Sequence, residues 1–141
     1  MRKTTNTDII YGKVPPQAID LEKAILGAIM MDSSCLPTVT NMLFEDAFYH
    51  NSHQLIFKAI MNLYDAMQNI DVLTVVERLR KSEVLETVGG HYYVTTLIRE
   101  VVSTANVEAH CSIVLQKFLG RKLIEISLDS LNNAYEDSTD I

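Results

Sequence analysis

The sequence predicts an all-α protein, a compact bundle of about six short helices followed by a C-terminal helical hairpin. Apolar residues recur every three to four positions through most of the chain, which is the spacing of helices with one buried face. No stretch alternates apolar and polar residues as a half-buried strand would. The 141 residues, of which 48% are hydrophobic and 21% charged, suffice for one domain with its own core.

The predicted helices follow from these apolar stripes and from the residues that begin and end them. Pro15-Pro16 opens the first helix, a cap at Asn51 or Ser52 opens the third, and Asp71 caps the fourth. Gly89-Gly90 is a turn that ends one helix before the next. The stripes of the successive helices are Ala18, Leu21, Ile25, Leu26, Ile29 and Met30; Leu36, Val39 and Leu43; Leu55, Ile56, Ala59, Ile60, Leu63 and Met67; Val72, Val75, Val76 and Leu79; and Tyr93, Val94, Leu97 and Ile98.

The last part of the chain, from Ala105 to Tyr135, has a helical pattern about twice the usual helix length. Gly120 lies near its middle, so we predict two helices folded into a hairpin that turns near Lys117–Arg121. The predicted organisation is therefore a flexible N-terminal arm over residues 1–14, a globular helical subdomain over 15–102 and the hairpin over 103–137. Residues 138–141 would begin a linker.

The predicted hairpin has more apolar surface than its two helices can hide against each other. The remaining apolar side chains need another surface, and each large one left in water forgoes about 1.5–3 kcal/mol of burial. We therefore expect a contact surface for self-association or a partner. Its candidate residues are Ile113, Leu115, Leu119, Leu123 and Ile126. The alternative is that the hairpin packs back on the globular part and all of these residues belong to the core.

The sequence predicts no catalytic, cofactor-binding or metal site. A phosphate-binding loop needs G-x-x-x-x-G-K-[ST], whereas the one Gly-Lys pair, Gly12-Lys13, lacks the upstream glycine and is followed by Val14. His50 and His53 have no third ligand nearby in the sequence, so we interpret them as structural residues. The net charge of −6 disfavours a nucleic-acid grip and gives no reason to expect binding to an anionic membrane.

The compartment is predicted from the cysteines and from the N-terminus. Cys35 and Cys111 form no disulfide framework and no metal spacing, so both are interpreted as reduced, with Cys111 buried. The first residues carry basic side chains without an apolar stretch behind them, unlike a signal peptide, and the longest apolar stretch is far too short to span a membrane. We therefore expect a cytoplasmic location.

Five segments, in order, resemble the N-terminal domain of DnaB-type bacterial replicative DNA helicases. Each motif alone is weak, but their order and spacing over residues 14–125 are specific. The matching residues are Val14-Pro15-Pro16, Glu22 and Leu26-Gly27-Ala28-Ile29-Met30-Met31-Asp32; Phe48-Tyr49, His53 and Ile56-Phe57; Ile70-Asp71, Thr74 and Leu79; Leu85, Gly89-Gly90, Tyr93 and Leu97; and Ala105-Asn106-Val107-Glu108, Ile113-Val114, Lys117, Arg121 and Leu123-Ile124.

The resemblance implies a role without catalysis in this chain. Domains of this family pair through their hairpins into a dimer, or into a ring as a trimer of dimers, where primase and a helicase loader dock. A RecA-like ATPase domain, which would bind ATP and Mg²⁺ and contact most of the DNA, would follow the linker.

Three rival functions follow from other features of the sequence. A small helical enzyme or metal protein could use His50, His53 and nearby acidic residues, and metal in the purified protein would favour it. A single-strand DNA-binding accessory domain could use Lys117, Arg121 and Lys122, and a salt-dependent affinity for oligonucleotides would favour that. A stand-alone adaptor related to the helicase domain is the third, favoured if the gene lacks a P-loop domain.

Overall fold

The computed structural model describes residues 13–139 and confirms the all-α class. Within these residues there are seven α-helices and no strand. The helices are α1 (Ile19–Met31), α2 (Leu36–Thr40), α3 (Asn51–Asp65), α4 (Val72–Lys81), α5 (Leu85–Val88), α6 (Gly90–Arg99) and α7 (Val107–Thr139), with short 3-10 helices at Ser33–Cys35 and Glu45–Ala47. Most of the predicted N-terminal arm, residues 1–12, and the last two residues of the predicted linker lie outside the described residues.

Local capping accounts for where several helices begin and end. The carboxylate of Asp71 accepts a hydrogen bond from the Thr74 amide, and the Thr74 hydroxyl accepts one from the Asp71 amide, a reciprocal capping box that starts α4. The cap of α3 is a correction to the prediction, because the His50 ring accepts the bond from the Ser52 amide. Gly89, at φ 114°, ends α5 and leads directly into α6.

The core is built around α1, which packs against α3, α6 and α7. Ile25, Leu26 and Ile29 on this helix are fully buried. At Gly27 the helices approach so closely that a β-carbon would lie 2.2 Å from the backbone oxygen of Leu97 on α6. A glycine at this position therefore permits the contact between α1 and α6.

The predicted C-terminal hairpin is wrong, because α7 is one continuous helix of 33 residues that passes through Lys117–Arg121 without a turn. A single glycine in a helix interior costs only about 1 kcal/mol relative to alanine, which is too little to break a helix when packing against the core holds its first half. Residues 107–118 supply that packing, since Val107, Cys111 and Val114 are buried. The helix also continues to Thr139, past residue 138, where a linker was predicted.

The second half of α7 leaves the globular body. Between residues 122 and 137 every side chain is exposed except that of Leu128, which is partly buried. These residues, called the extension below, span about 24 Å at 1.5 Å per residue. The fold thus combines a packed body with one projecting helical segment.

Candidate functional site

On the side of α7 that faces the body, the side chains change from apolar to polar at the point where the helix leaves the body. Val107, Cys111 and Val114 are buried on this side, and Phe118 packs against the same core. Eighteen residues make five helical turns, so the residue 18 positions further along lies on the same side. Those four positions hold Glu125, Asp129, Asn132 and Glu136. The apolar stripe therefore becomes polar in the extension, which fits a helix that has left its core.

Four of the five predicted contact residues are exposed on α7. The exposed fractions are 38% for Ile113, 56% for Leu119, 66% for Leu123 and 61% for Ile126. Leu115, the fifth, is partly buried and packs against the core. Leu119, Leu123 and Ile126 recur at four- and three-residue spacing and form one apolar side, called flank A.

A second apolar side, flank B, lies on the same segment. Ile124, Leu131 and Tyr135 are exposed there and Leu128 is partly buried. At 100° per residue the two flanks are roughly 140° apart around the helix, and Ile113 falls in line with flank B. The predicted contact residues therefore belong to two different sides of one helix. A single partner helix could not cover both flanks.

Arg121 joins α7 to the body at the point where the helix leaves it. Its Nη1 donates to the backbone oxygen of Pro16 at 2.8 Å, and its Nη2 donates to that of Ala47 at 3.0 Å. The guanidinium carbon also lies 5.2 Å from the centre of the Tyr49 ring and 5.7 Å from that of Phe118. Both contacts are within cation–π range. Arg121 was a residue of the alternative DNA-binding surface, but its side chain is directed at the body.

A buried polar network lies beneath this anchor. The carboxylate of Glu22, on α1, accepts hydrogen bonds from the amides of Tyr49 and His50 at 2.7 and 3.3 Å. It also lies 2.8 Å from Nδ1 of His53, on α3. Because a carboxylate can only accept, Nδ1 carries the proton; in the neutral imidazole Nε2 then accepts from the Tyr93 hydroxyl 2.6 Å away. Three helices and the chain before α3 are thereby joined.

The pKa shifts of Tyr93 and His50 fit the hydrogen bonds of this network. Burial, and then the negative charges of Glu22 and Glu100, raise the pKa of Tyr93 to about 12, so its hydroxyl keeps the proton that it donates. Burial and the adjacent His53 lower the pKa of His50. The His50 and His53 rings stack at 4.6 Å.

The pairing of Glu22 with His53 was not predicted from the sequence, although a signal was present. Glu22 lies three, four and seven positions before Ile25, Leu26 and Ile29, within the buried stripe of α1. His53 has the same relation to Ile56, Phe57 and Ile60 on α3. A charged residue inside an apolar stripe needs a buried partner. Two such residues on different helices are natural partners for each other.

Residues 13–139 contain no group of three or more His, Cys, Asp or Glu side chains that could hold a metal ion. Over the same range, no helix is long and apolar enough to cross a membrane. Cys35 and Cys111 are both free thiols, and Cys111 is buried as predicted. Burial raises the pKa of Cys111 to about 12. The distinctive features of the described chain are thus the two flanks, the anchor and the buried network.

The fold matches a solved all-α domain. Its backbone superimposes with a TM-score of 0.86 on the crystal structure of the N-terminal domain of DnaB helicase from Mycobacterium tuberculosis. The two are 31% identical, and the match covers 90% of this chain and 91% of that one. Residues 14–116 also match the family described as the DnaB-like helicase N terminal domain, and the chain belongs to that family.

Curated relatives agree with the family assignment. The chain is 40% identical over 129 residues to the replicative DNA helicase DnaB of Rhodothermus marinus, and this match covers 92% of this chain and 14% of that protein. It is 39% identical over 132 residues to the replicative DNA helicase DnaB of Treponema pallidum, and this match covers 94% of this chain and 30% of that protein. The chain therefore spans less than a third of either relative. The resemblance stated from the sequence motifs is confirmed.

Proposed function

We propose that this chain is a non-catalytic oligomerisation and partner-docking domain of a replicative DNA helicase, acting in DNA replication and primosome assembly. The observation that carries the proposal is the extension of α7, which holds large apolar side chains in water on two flanks. Isolated exposed apolar residues are ordinary, but a regular line of them along a projecting helix is typical of a helix that pairs with another.

Self-association would bury these side chains. Burying one large apolar side chain contributes about 1.5–3 kcal/mol, so flank A of two paired copies contributes at most about 9–18 kcal/mol, against an association cost of about 4–15 kcal/mol. Two flanks suit an assembly in which each extension meets more than one helix. A dimer, or a ring built as a trimer of dimers, meets that requirement.

The remaining partners are proposed from the family relationship. Primase and a helicase loader would dock on the assembled domains. ATP hydrolysis with Mg²⁺, and most of the DNA contact, would belong to a motor domain elsewhere in the parent protein. The relatives are named replicative DNA helicase, and the match spans only 14% and 30% of their lengths. The absence of a P-loop motif from the sequence and the net charge of −6 support a non-catalytic role with little DNA contact of its own. A replicative role also implies a cytoplasmic location.

Light scattering over a wide concentration range tests self-association in the purified chain. The test variant is Leu123→Asp, which places a charge on flank A at a residue that is 66% exposed, so the body should fold as before. Its matched control is Asn132→Asp, which adds the same charge to the polar side of the same extension. We expect a concentration-dependent dimer or larger ring that is lost in Leu123→Asp and retained in Asn132→Asp.

Other outcomes would contradict the proposal. A strict monomer at every concentration would show that the flanks do not bring copies together. Equal loss of assembly in both variants would indicate a general charge effect rather than flank A. Leu131→Asp tests flank B in the same way. Docking is measured separately, by titrating the purified primase of the same organism into the chain. Absence of binding at micromolar concentrations would remove primase from the proposal without affecting self-association.

A further inference from the structure

We propose that Gly120 is a hinge in α7 and that Arg121 is the positioning residue that holds this hinge straight, so that the contacts of Arg121 set the direction of the extension. The hinge would act in the same way whatever the flanks bind. It concerns the geometry of one chain, and its test is separate from that of self-association.

Gly120 lies at the point in α7 where the contacts of the helix with the core end. The core holds the helix on its N-terminal side through Val114 and Phe118, whereas the side chains of residues 122–137 are exposed except that of Leu128. Glycine has the least restricted backbone of any residue, and a helix interior is weakest there. A bend is therefore easiest at the junction between the packed half and the extension.

The body touches α7 at this weak point from one side. A β-carbon at Gly120 would lie 3.3 Å from Cγ and 3.5 Å from Cβ of Pro16, so the proline ring rests against the helix backbone. A proline is a rigid contact because its ring fixes its own backbone angle. The contact limits bending toward Pro16 but leaves the other directions free.

Arg121 supplies the missing restraint because it holds two separate segments at once. One arm of its guanidinium binds the backbone oxygen of Pro16 before α1, and the other binds that of Ala47 at the end of a 3-10 helix. The planar guanidinium cannot keep both bonds if the helix swings far from either segment. A lysine, with one ammonium group on a flexible stem, could not reproduce this fork.

The segment that receives Arg121 is itself held by the buried network. Tyr49 stacks with the guanidinium, and its amide donates to the carboxylate of Glu22. Glu22 is fixed in turn by His53, which Tyr93 holds from the other side. The rigidity of the anchor thus derives from helices α1, α3 and α6 of the body. Loosening the network should loosen the extension as well.

Pulsed electron–electron resonance can measure the direction of the extension in the full 141-residue chain. Spin labels are placed at Lys58 on α3 and at Ser130 in the extension, which are both exposed. Cys35 is replaced by alanine, and Cys111 stays because it is fully buried. A large excess of unlabelled chain dilutes the labels, so distances between different copies do not contribute.

The unmodified anchor should give one narrow distance distribution. Arg121→Met should broaden it about twofold, and Arg121→Lys should have an intermediate effect, because helix bending concentrates at an unsupported glycine. Adding Gly120→Ala to Arg121→Met should narrow the distribution again by stiffening the helix. The control is Arg80→Met, which removes an exposed arginine that pairs with Glu77 on α4, far along the chain from the anchor. It should leave the distribution unchanged.

Two results would overturn the proposal. If Arg121→Met keeps the narrow distribution of the parent chain, Arg121 does not set the direction of the extension. If the double variant stays as broad as Arg121→Met, the bend is not at Gly120. Circular dichroism checks that each variant is folded. Should Arg121→Met fail to fold, Arg121→Lys with and without Gly120→Ala gives the same comparison.

Discussion

Nδ1 of His53 lies 2.8 Å from the carboxylate of Glu22, and both side chains are almost completely hidden from solvent. The two residues are 31 positions apart in the sequence. Their contact joins α1 to α3, and the same carboxylate holds the amide of Tyr49, whose ring stacks on Arg121. A buried polar pair in the body is thus connected to the residue that anchors the projecting half of α7.

Removing the carboxylate should destabilise the fold strongly. Glu22→Ala leaves the His53 ring and the Tyr49 amide without their acceptor in a buried place. Leaving a buried hydrogen-bond donor without its acceptor costs about 1–3 kcal/mol for each donor. The free energy of unfolding, measured by urea titration with circular dichroism, should fall by the sum for these donors. Asp20→Ala, which removes an exposed carboxylate from the same helix, should cost less than about 1 kcal/mol. Similar losses in both variants would contradict a special role for Glu22.

Tyr93 should make stability depend on alkaline pH. Its pKa is raised from 10 to about 12 in the folded chain, so the folded state holds the phenol proton more tightly than the unfolded state. The stabilisation is therefore complete below about pH 10 and is lost as pH rises toward about 12. Tyr93→Phe lacks the hydroxyl that donates to His53, and should lower the free energy of unfolding by about 1–2 kcal/mol at neutral pH.

The measurement is urea unfolding of both chains between pH 8 and the alkaline limit of reversible folding. The stability difference between the parent chain and Tyr93→Phe should shrink as pH rises above about 10. Tyr92→Phe is the matched control, since its hydroxyl belongs to an exposed neighbouring tyrosine. It should change stability little at any pH. A difference for Tyr93→Phe that grows with pH would contradict the direction of the pKa shift.

Adding a single methyl group at Gly27 should separate α1 from α6. The new β-carbon would lie 2.2 Å from the backbone oxygen of Leu97 and 2.5 Å from a methyl group of Val101. Because a backbone atom cannot move aside as a side chain can, Gly27→Ala should cost at least about 1–3 kcal/mol. Calorimetric unfolding measures the change. Gly120→Ala, where the nearest atom belongs to Pro16 at 3.3 Å, should stay within about 1 kcal/mol of the parent chain.

Structural features that depend on residues close together in the sequence were predictable. The helical class followed from apolar spacing, and the Asp71 cap of α4 from one side chain and the amide three residues later. The turn at Gly89 followed from the ability of glycine to adopt a left-handed conformation. Even the buried state of Cys111 was predictable. Each of these predictions rests on the spacing of residues within one or two helical turns, which the sequence shows directly.

What the sequence determined by itself is therefore the all-α class, most helices of the body and the family to which the chain belongs. Only the tertiary structure decided that α7 is one helix, that Glu22 pairs with His53 and that the predicted contact residues lie on two sides of a projecting segment. The physical reason is that tertiary contacts contribute more free energy than the local conformational preference of one residue. At Gly120 the local preference between a turn and a helix amounts to about 1 kcal/mol. Packing of Val107, Cys111 and Val114, and the bonds of Arg121 to distant backbone oxygens, outweigh that preference.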